Sequence, residues 1–257
     1  MVTTVKIRNL VLGQGRPKIC IPIVAQSREG IRQAAEEIRA LPADLVEWRA
    51  DWYEGLKEPE SLAEALKALR QALGEELALL FTIRTKKEGG QAELSPAEYV
   101  EANCQALESG FIDLVDAELS AGKEDVAVIV DKAHQLGKKV VMSSHDFYRT
   151  PEVEEMLAAL KRMQEWNADI PKLAVMPKSR WDVLKLLEAT LTMRERYADR
   201  PIVTMSMASE GVITRLCGEA FGSCMTFGSA GQLSAPGQME ARELCQVLEA
   251  IHKGMSV

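Results

Sequence analysis

Along the 257-residue chain the spacing of apolar positions switches repeatedly between two periods. Short β-rich runs occur at KICIPIVA (18–25), DLVEWRAD (44–51), LALLFTIR (77–84), FIDLVDAEL (111–119), KKVVMSSHD (138–146), IPKLAVMP (170–177), PIVTMSM (201–207) and SCMTFGSA (223–230). Each is followed by a stretch such as EGIRQAAEEIRAL or PESLAEALKALRQAL, where apolar residues recur three and four apart and charge lies on the other face. The spacing predicts strand–helix pairs, the seventh helix a short one over about 209–220 and the eighth over about 238–253. Gly74 and Gly137 stand where helix ends favour a left-handed residue, and Pro96 and Pro151 where a first turn tolerates a missing donor. Eight βα units in about 250 residues is the arithmetic of a (β/α)8 barrel of the TIM type, an α/β fold in which residues 1–257 form one domain. The alternative is a doubly wound open sheet. It usually carries a glycine-rich turn after its first strand, and here QSREGIRQ follows Ala25 with no G-x-G-x-x-G. Ahead of the first strand, VKIRNLVLGQGRPK alternates and ends in Gly13 and Gly15, which predicts a β-hairpin closing the bottom of the barrel.

Composition removes several classes of function. With 31 basic and 38 acidic residues the chain carries a net charge of −7 and has no dense Lys/Arg block, so nucleic acid is not an expected partner. No long apolar stretch predicts a membrane span, and MVTTVKIRNL does not read as a secretory leader, so a cytoplasmic protein is expected. Five scattered cysteines without a C-x-x-C spacing, and three histidines without ligand spacing, give no reason to expect a disulfide framework, a metal or another cofactor.

Inside a barrel, strand residues point alternately inward and out towards the helices, and a charge on a strand buried on both faces needs a reason. Here the polar exceptions share one parity. Glu47, Arg49 and Asp51 follow Leu45; Thr82 and Arg84 follow Leu80; Asp116 and Glu118 follow Leu114; Ser143 and His145 follow Val141. They come late in their strands, at the C-terminal mouth where such barrels place their active sites. Met205, Met207 and Phe227 occupy the same parity in the seventh and eighth runs.

Lys172, in the otherwise apolar IPKLAVMP, is the most informative position. It either starts its strand at the bottom rim and reaches water, or points inward. An inward lysine is desolvated, and Arg49, Arg84 and Arg215 are the expected neighbouring cations; both effects favour the neutral amine, which attacks ketones to form Schiff bases. His145 is the one histidine at a strand end and is suited to moving the proton. Asp116 and Glu118 read as structural partners of the arginines. Glu88, in the loop RTKKEGGQ, is either a solvated charge or a carboxylate brought to His145. The segment GSAGQLSAPGQ reads as a lid that offers Ser234 and Gln238, or as a mere connection.

Together EWRAD (47–51), FTIRTKKEGG (81–90), SSHDF (143–147), IPKLAVMP, the stretch from MSM to Arg215 and SAPGQ (234–238) resemble the type I 3-dehydroquinate dehydratase family over essentially the whole chain. The resemblance implies a metal-independent, homodimeric lyase of the shikimate pathway, serving aromatic amino acid biosynthesis and converting 3-dehydroquinate to 3-dehydroshikimate by syn elimination. It implies that Lys172 forms an imine with the C3 ketone, that His145 takes the C2 proton and returns one to the departing hydroxyl, and that Glu88 orients His145. It further implies that Arg215 clamps the carboxylate, that Ser234 and Gln238 close over it, and that Glu47, Arg49 and Arg84 meet ring hydroxyls. Met205, Met207 and Phe227 then form apolar walls. The chain departs from the family at Pro22, where many members carry serine, so no first-strand hydroxyl contact is expected. The nearest competing function is a Schiff-base aldolase acting on a sugar phosphate, with Gly228, Gly231 and Gly237 as a phosphate cradle.

Overall fold

The computed structural model describes residues 2–231 and 237–256. Its strands are β1 (Val5–Ile7), β2 (Leu10–Leu12), β3 (Lys18–Ile23), β4 (Leu45–Arg49), β5 (Ala78–Thr82), β6 (Leu114–Glu118), β7 (Lys139–Asp146), β8 (Ile170–Val175), β9 (Val203–Ser206), β10 (Met225–Ser229) and the short β11 (Met239–Glu240). Strands β3 to β9 pair in parallel in chain order and β10 pairs with β3, so the sheet curls round on itself. A bridge between Ile202 and Ser223 joins β9 to β10 at the last seam. The helices α1 (Arg28–Ile38), α2 (Pro59–Leu73), α3 (Pro96–Glu108), α4 (Lys123–Gln135), α5 (Val153–Glu165), α6 (Arg180–Arg196), α7 (Val212–Leu216), α8 (Gly218–Phe221) and α9 (Ala241–Met255) follow their strands. This is the (β/α)8 barrel that the alternation predicts.

The helices form for local reasons and pack for hydrophobic ones. In α2, Pro59 opens the first turn, and Leu62, Leu66, Leu69 and Leu73 fall on one buried stripe, each contributing roughly 1.5–3 kcal/mol on leaving water. A reciprocal Ser95–Glu98 capping box starts α3. Pro151 is not in a first turn: α5 is capped by Glu152, one residue later. The predicted seventh helix is two short pieces. Gly218 opens the second where a Cβ would come within 2.8 Å of the Ser223 carbonyl, so the chain must swing close to β10 there.

Two apolar clusters divide the strands by parity. Ile19, Val46, Leu79, Val115 and Val140 face the helices, whereas Cys20, Leu45, Leu80, Leu114, Val141, Ile170, Val203 and Met225 face inward with Val5, Ile7 and Leu12 of the hairpin. β1 and β2 pair antiparallel, and the hairpin closes the N-terminal mouth as the sequence predicts. Arg8, at its turn, is tied to Asp113 and Glu75.

A fourfold device that no obvious sequence repeat betrays anchors this end. Just before β4, β6 and β8, Asp44, Asp113 and Asp169 accept from the amides of the second residues of the preceding strands, Ile19, Leu79 and Val140; before β10, the Ser223 hydroxyl accepts from Thr204, again a second residue. Each pair of βα units is thereby fixed in register. Asp113 also holds Arg70 at 2.7 Å, and both are buried. Asp113→Ala removes the counter-ion of that buried guanidinium and leaves it the carbonyls of Phe111, Gly74 and Leu77, so a loss of about 3 kcal/mol is expected, read in urea as a lower midpoint at unchanged slope. Asp169→Ala, whose partner Lys139 is 36% exposed, should cost much less. Equal losses would contradict this assignment.

Candidate active site

Above the apolar floor, the inward positions turn polar at once. Lys172 is the third residue of β8, paired with Ser143 on one side and Val203 on the other, and only 4% exposed. It does not reach the bottom rim. Its Nζ stands 4.5 Å from the ring centre of Phe227, 3.7 Å from Glu47 Oε1 and 4.0 Å from Asp116 Oδ2. Two carboxylates therefore stand within 4.0 Å of the amine. Glu47 is steadied by the Thr82 hydroxyl, which donates at 3.0 Å.

His145 lies on the same face of β7, two residues beyond the partner of Lys172, and so roughly 7 Å nearer the mouth. Its Nδ1 is 2.9 Å from Glu88 Oε2, and its backbone N–H donates to the same oxygen at 3.0 Å. Ser120 donates to the other oxygen at 2.6 Å. Glu88 ends a 3-10 turn (Lys86–Glu88), and the two glycines after it are dictated by crowding. A Cβ on Gly89 would stand 2.4 Å from the Phe147 ring, and one on Gly90 1.9 Å from the Arg84 carbonyl. Only an unsubstituted backbone lets the loop fold back and bury Glu88 against His145. That burial, reinforced by the charge of Glu118, pushes the Glu88 carboxyl up to about 7. Burial and the cations Arg84, Lys172 and Arg49 hold His145 well below the usual imidazole value, so its ring is neutral at physiological pH.

The arginines differ. Arg49 is clasped by both oxygens of Asp51, at 2.7 and 2.8 Å, and Asp51 also takes the amides of Arg84 and Gln91. Arg84 donates to Glu118 at 2.8 Å and to Ser143 at 2.9 Å, and lies 3.0 Å from Asp116. It lines the pocket yet is largely committed to these partners. Arg215 of α7 is buried, meets Met205 Sδ at 3.8 Å, and is pulled down by desolvation to about 10, still a cation at neutral pH. Because Arg49 and Arg84 are paired, the positive balance of the mouth is smaller than a count of its cations suggests.

These groups enclose a cavity of about 230 Å³ lined by Glu47, Arg49, Arg84, Glu88, Gly89, His145, Phe147, Lys172, Ala174, Met205, Met207, Arg215, Phe227 and Gln238. The catalytic and substrate-contacting residues expected from the sequence line it, with the expectation for Ser234 falling outside the described residues. Pro22 continues the pairing of β3 with β4 beyond the end of its ladder with β10, and does not line the cavity. Sequence reasoning missed Phe147 and Gly89, and behind them the grips of Ser120 and Asp51. Alternation foretells Ala174, but nothing local foretells Ser120, which arrives from a turn after β6. Gly228 is small because α9 lies on it, with Leu244 3.2 Å from where its Cβ would be, and the Cβ site of Gly237 is filled by the Ala208 carbonyl. Both glycines have packing reasons that need no phosphate. Among the described residues, no group of three His, Cys, Asp or Glu side chains could hold a metal ion.

Fold and site define a barrel protein of the buried-lysine kind, with a histidine–glutamate pair and arginines around an enclosed pocket at the C-terminal ends of the strands. The profile of the type I 3-dehydroquinase family matches residues 19–255, and the chain belongs to that family. A 3-dehydroquinate dehydratase from Syntrophotalea carbinolica is 51% identical over 98% of this chain and 99% of its own. One from Bacillus licheniformis is 46% identical over 99% of this chain and 100% of its own. Among solved structures, the type I enzyme from Clostridium difficile superposes with a TM-score of 0.96 at 45% identity, covering 99% of this chain and 100% of that one. A 3-hexulose-6-phosphate synthase from Salmonella typhimurium reaches a TM-score of 0.58 at 16% identity, a likeness of fold alone.

Proposed function

We infer that the chain is a hydro-lyase that converts 3-dehydroquinate to 3-dehydroshikimate in the shikimate pathway, through an imine on Lys172. The observation that carries this reading is a buried amine at the cavity floor with a neutral histidine, backed by a carboxylate, two residues above it on the next strand. The amine adds to the C3 ketone, and loss of water leaves an iminium that draws electrons from C2. His145 takes the C2 proton, the electron pair forms the C1–C2 double bond, and the C1 hydroxyl leaves as water with a proton returned by His145. Hydrolysis then frees the product and the lysine. Arg215 suits the substrate carboxylate, with Gln238 and Ser234 closing over it; Glu47, Arg49 and Arg84 meet hydroxyls, and Met205, Met207 and Phe227 exclude water from the ring. Support for covalent chemistry comes from the Clostridium difficile relative, whose structure holds covalently modified comenic acid.

Residues 1–257 would act as one barrel, requiring no metal or cofactor, in the cytoplasm and as a homodimer. Free thiols at Cys20, Cys104, Cys217, Cys224 and Cys245 suit a reducing compartment, and exposed Trp181, Leu184 and Ile213 offer apolar surface for pairing. Among the described residues no helix is long and apolar enough to cross a membrane.

Assay with 3-dehydroquinate and with phosphorylated aldoses tests the reading: only the former should turn over, and cleavage of the aldoses instead would replace the dehydratase by an aldolase. The pH profile is a second check. Below about pH 7 Glu88 gains a proton and donates it to Nδ1, moving the ring hydrogen to Nε2 and removing the lone pair that attacks C2. Turnover should therefore rise with pH through about 7, and Glu88→Gln should lose that limb. A limb well below pH 6 in the unaltered chain contradicts this.

A further inference from the structure

Asp116 does not line the cavity and is fully buried. One of its oxygens is tied down: Oδ1 accepts from Ser143 at 2.7 Å and lies 3.0 Å from Arg84 Nη2. Oδ2 has no hydrogen bond, is sealed from solvent, and is turned to Lys172 Nζ 4.0 Å away. A buried carboxylate oxygen without a donor is costly, and two partners hold it in that attitude. Glu47, the other carboxylate near Nζ, differs in lining the cavity, where a bound molecule meets it.

We propose that Asp116 is a positioning residue that acts through Lys172: from the closed side of the barrel it is the counter-ion of the Nζ nitrogen, and after imine formation it holds the one remaining N–H and keeps the iminium protonated. The proposal rests on the imine reading above. In that step the ammonium and the ketone become the iminium and water: the N–C bond forms, the C–O bond breaks, and two of the three ammonium hydrogens leave in the water. The nitrogen is positive before and after; in between it gives up a proton, attacks the ketone as the neutral amine, and that proton leaves in the water. An imine nitrogen is, however, a much weaker base than an amine, and only its protonated form withdraws electrons from C2. A fixed anion that substrate cannot displace preserves that form as the pH rises.

The other titratable groups facing this pair are Glu47 on β4, Cys20 on β3, Arg84 after β5, Glu88 in the turn that follows it, Tyr99 on α3, Glu118 on β6 and His145 on β7; Phe227 of β10 and Met205 of β9 bring apolar faces. Of these carboxylates, only Glu47 joins Asp116 within 4.0 Å of Nζ among the described residues.

The test is Asp116→Asn, with kcat and borohydride trapping of the adduct followed across pH. The alkaline limb of both should move down by about 1–2 pH units, with KM little changed and the acid limb, which belongs to Glu88 and His145, in place. If Asp116→Asn does not fold, Ser143→Ala keeps the charge and loosens its aim, losing one Arg84 hydrogen bond as well, and should move the limb the same way by less. An unmoved alkaline limb in the variant that folds overturns the proposal while leaving the imine intact. Absence of any trapped Lys172 adduct in the unaltered chain overturns the imine reading itself, and the proposal with it.

Discussion

Replacing Lys172 by methionine is expected to lower kcat for 3-dehydroquinate by roughly 10⁴-fold or more, a loss of the size seen when a covalent nucleophile is removed. Methionine is chosen because it fills the space against Phe227 and adds no new polar group. It does take the Lys172 nitrogen from beside Glu47 and Asp116, the latter keeping Arg84, so some stability will be lost, and the rate must be taken where the variant is folded. Binding should survive better than turnover, because Arg215, Arg49 and the apolar walls remain. The product is a conjugated acid, so ultraviolet absorbance follows the reaction directly. A loss of only tenfold would mean that the amine merely helps to bind substrate.

The second large effect separates the two halves of the reaction. His145→Ala removes the proton shuttle but not the amine, so the imine should still form and accumulate while turnover falls by about 10²–10⁴-fold, the range that a positioned acid–base group supplies. Mass spectrometry of the intact variant after borohydride should then show the adduct in higher yield than in the unaltered chain. Near-full activity would place the shuttle elsewhere. Failure of the variant to form any adduct would make His145 part of imine formation too.

Much of this site is legible in the sequence because a barrel strand has only two directions. Once Leu45, Leu80, Leu114 and Val141 face inward, Glu47, Thr82, Asp116 and Ser143 must do the same, and an inward Lys172 in an apolar run has few structural excuses. Less legible is what pairs with what. Asp116 reads as a partner of Arg84, which it is, but its second oxygen faces Lys172, because strand stagger sets β6 and β8 at heights that alternation alone does not give. Arg49 turns to Asp51 rather than to Glu47 because the chain leaves β4 in a 3-10 turn (Ala50–Trp52). The fourfold anchoring at the bottom was likewise hidden: three aspartates and a serine before alternate strands form a pattern only after the strands are placed side by side. The break in the seventh helix comes from a close approach of Gly218 to Ser223, a tertiary contact with no local signal.

The central claim is that the reaction passes through a covalent bond to Lys172. Incubation of the unaltered chain with 3-dehydroquinate, reduction with borohydride and peptide mapping by mass spectrometry reads it directly. One reduced adduct, on the peptide carrying Lys172, is the expected result. An adduct on another lysine, or none while substrate is still consumed, would contradict it.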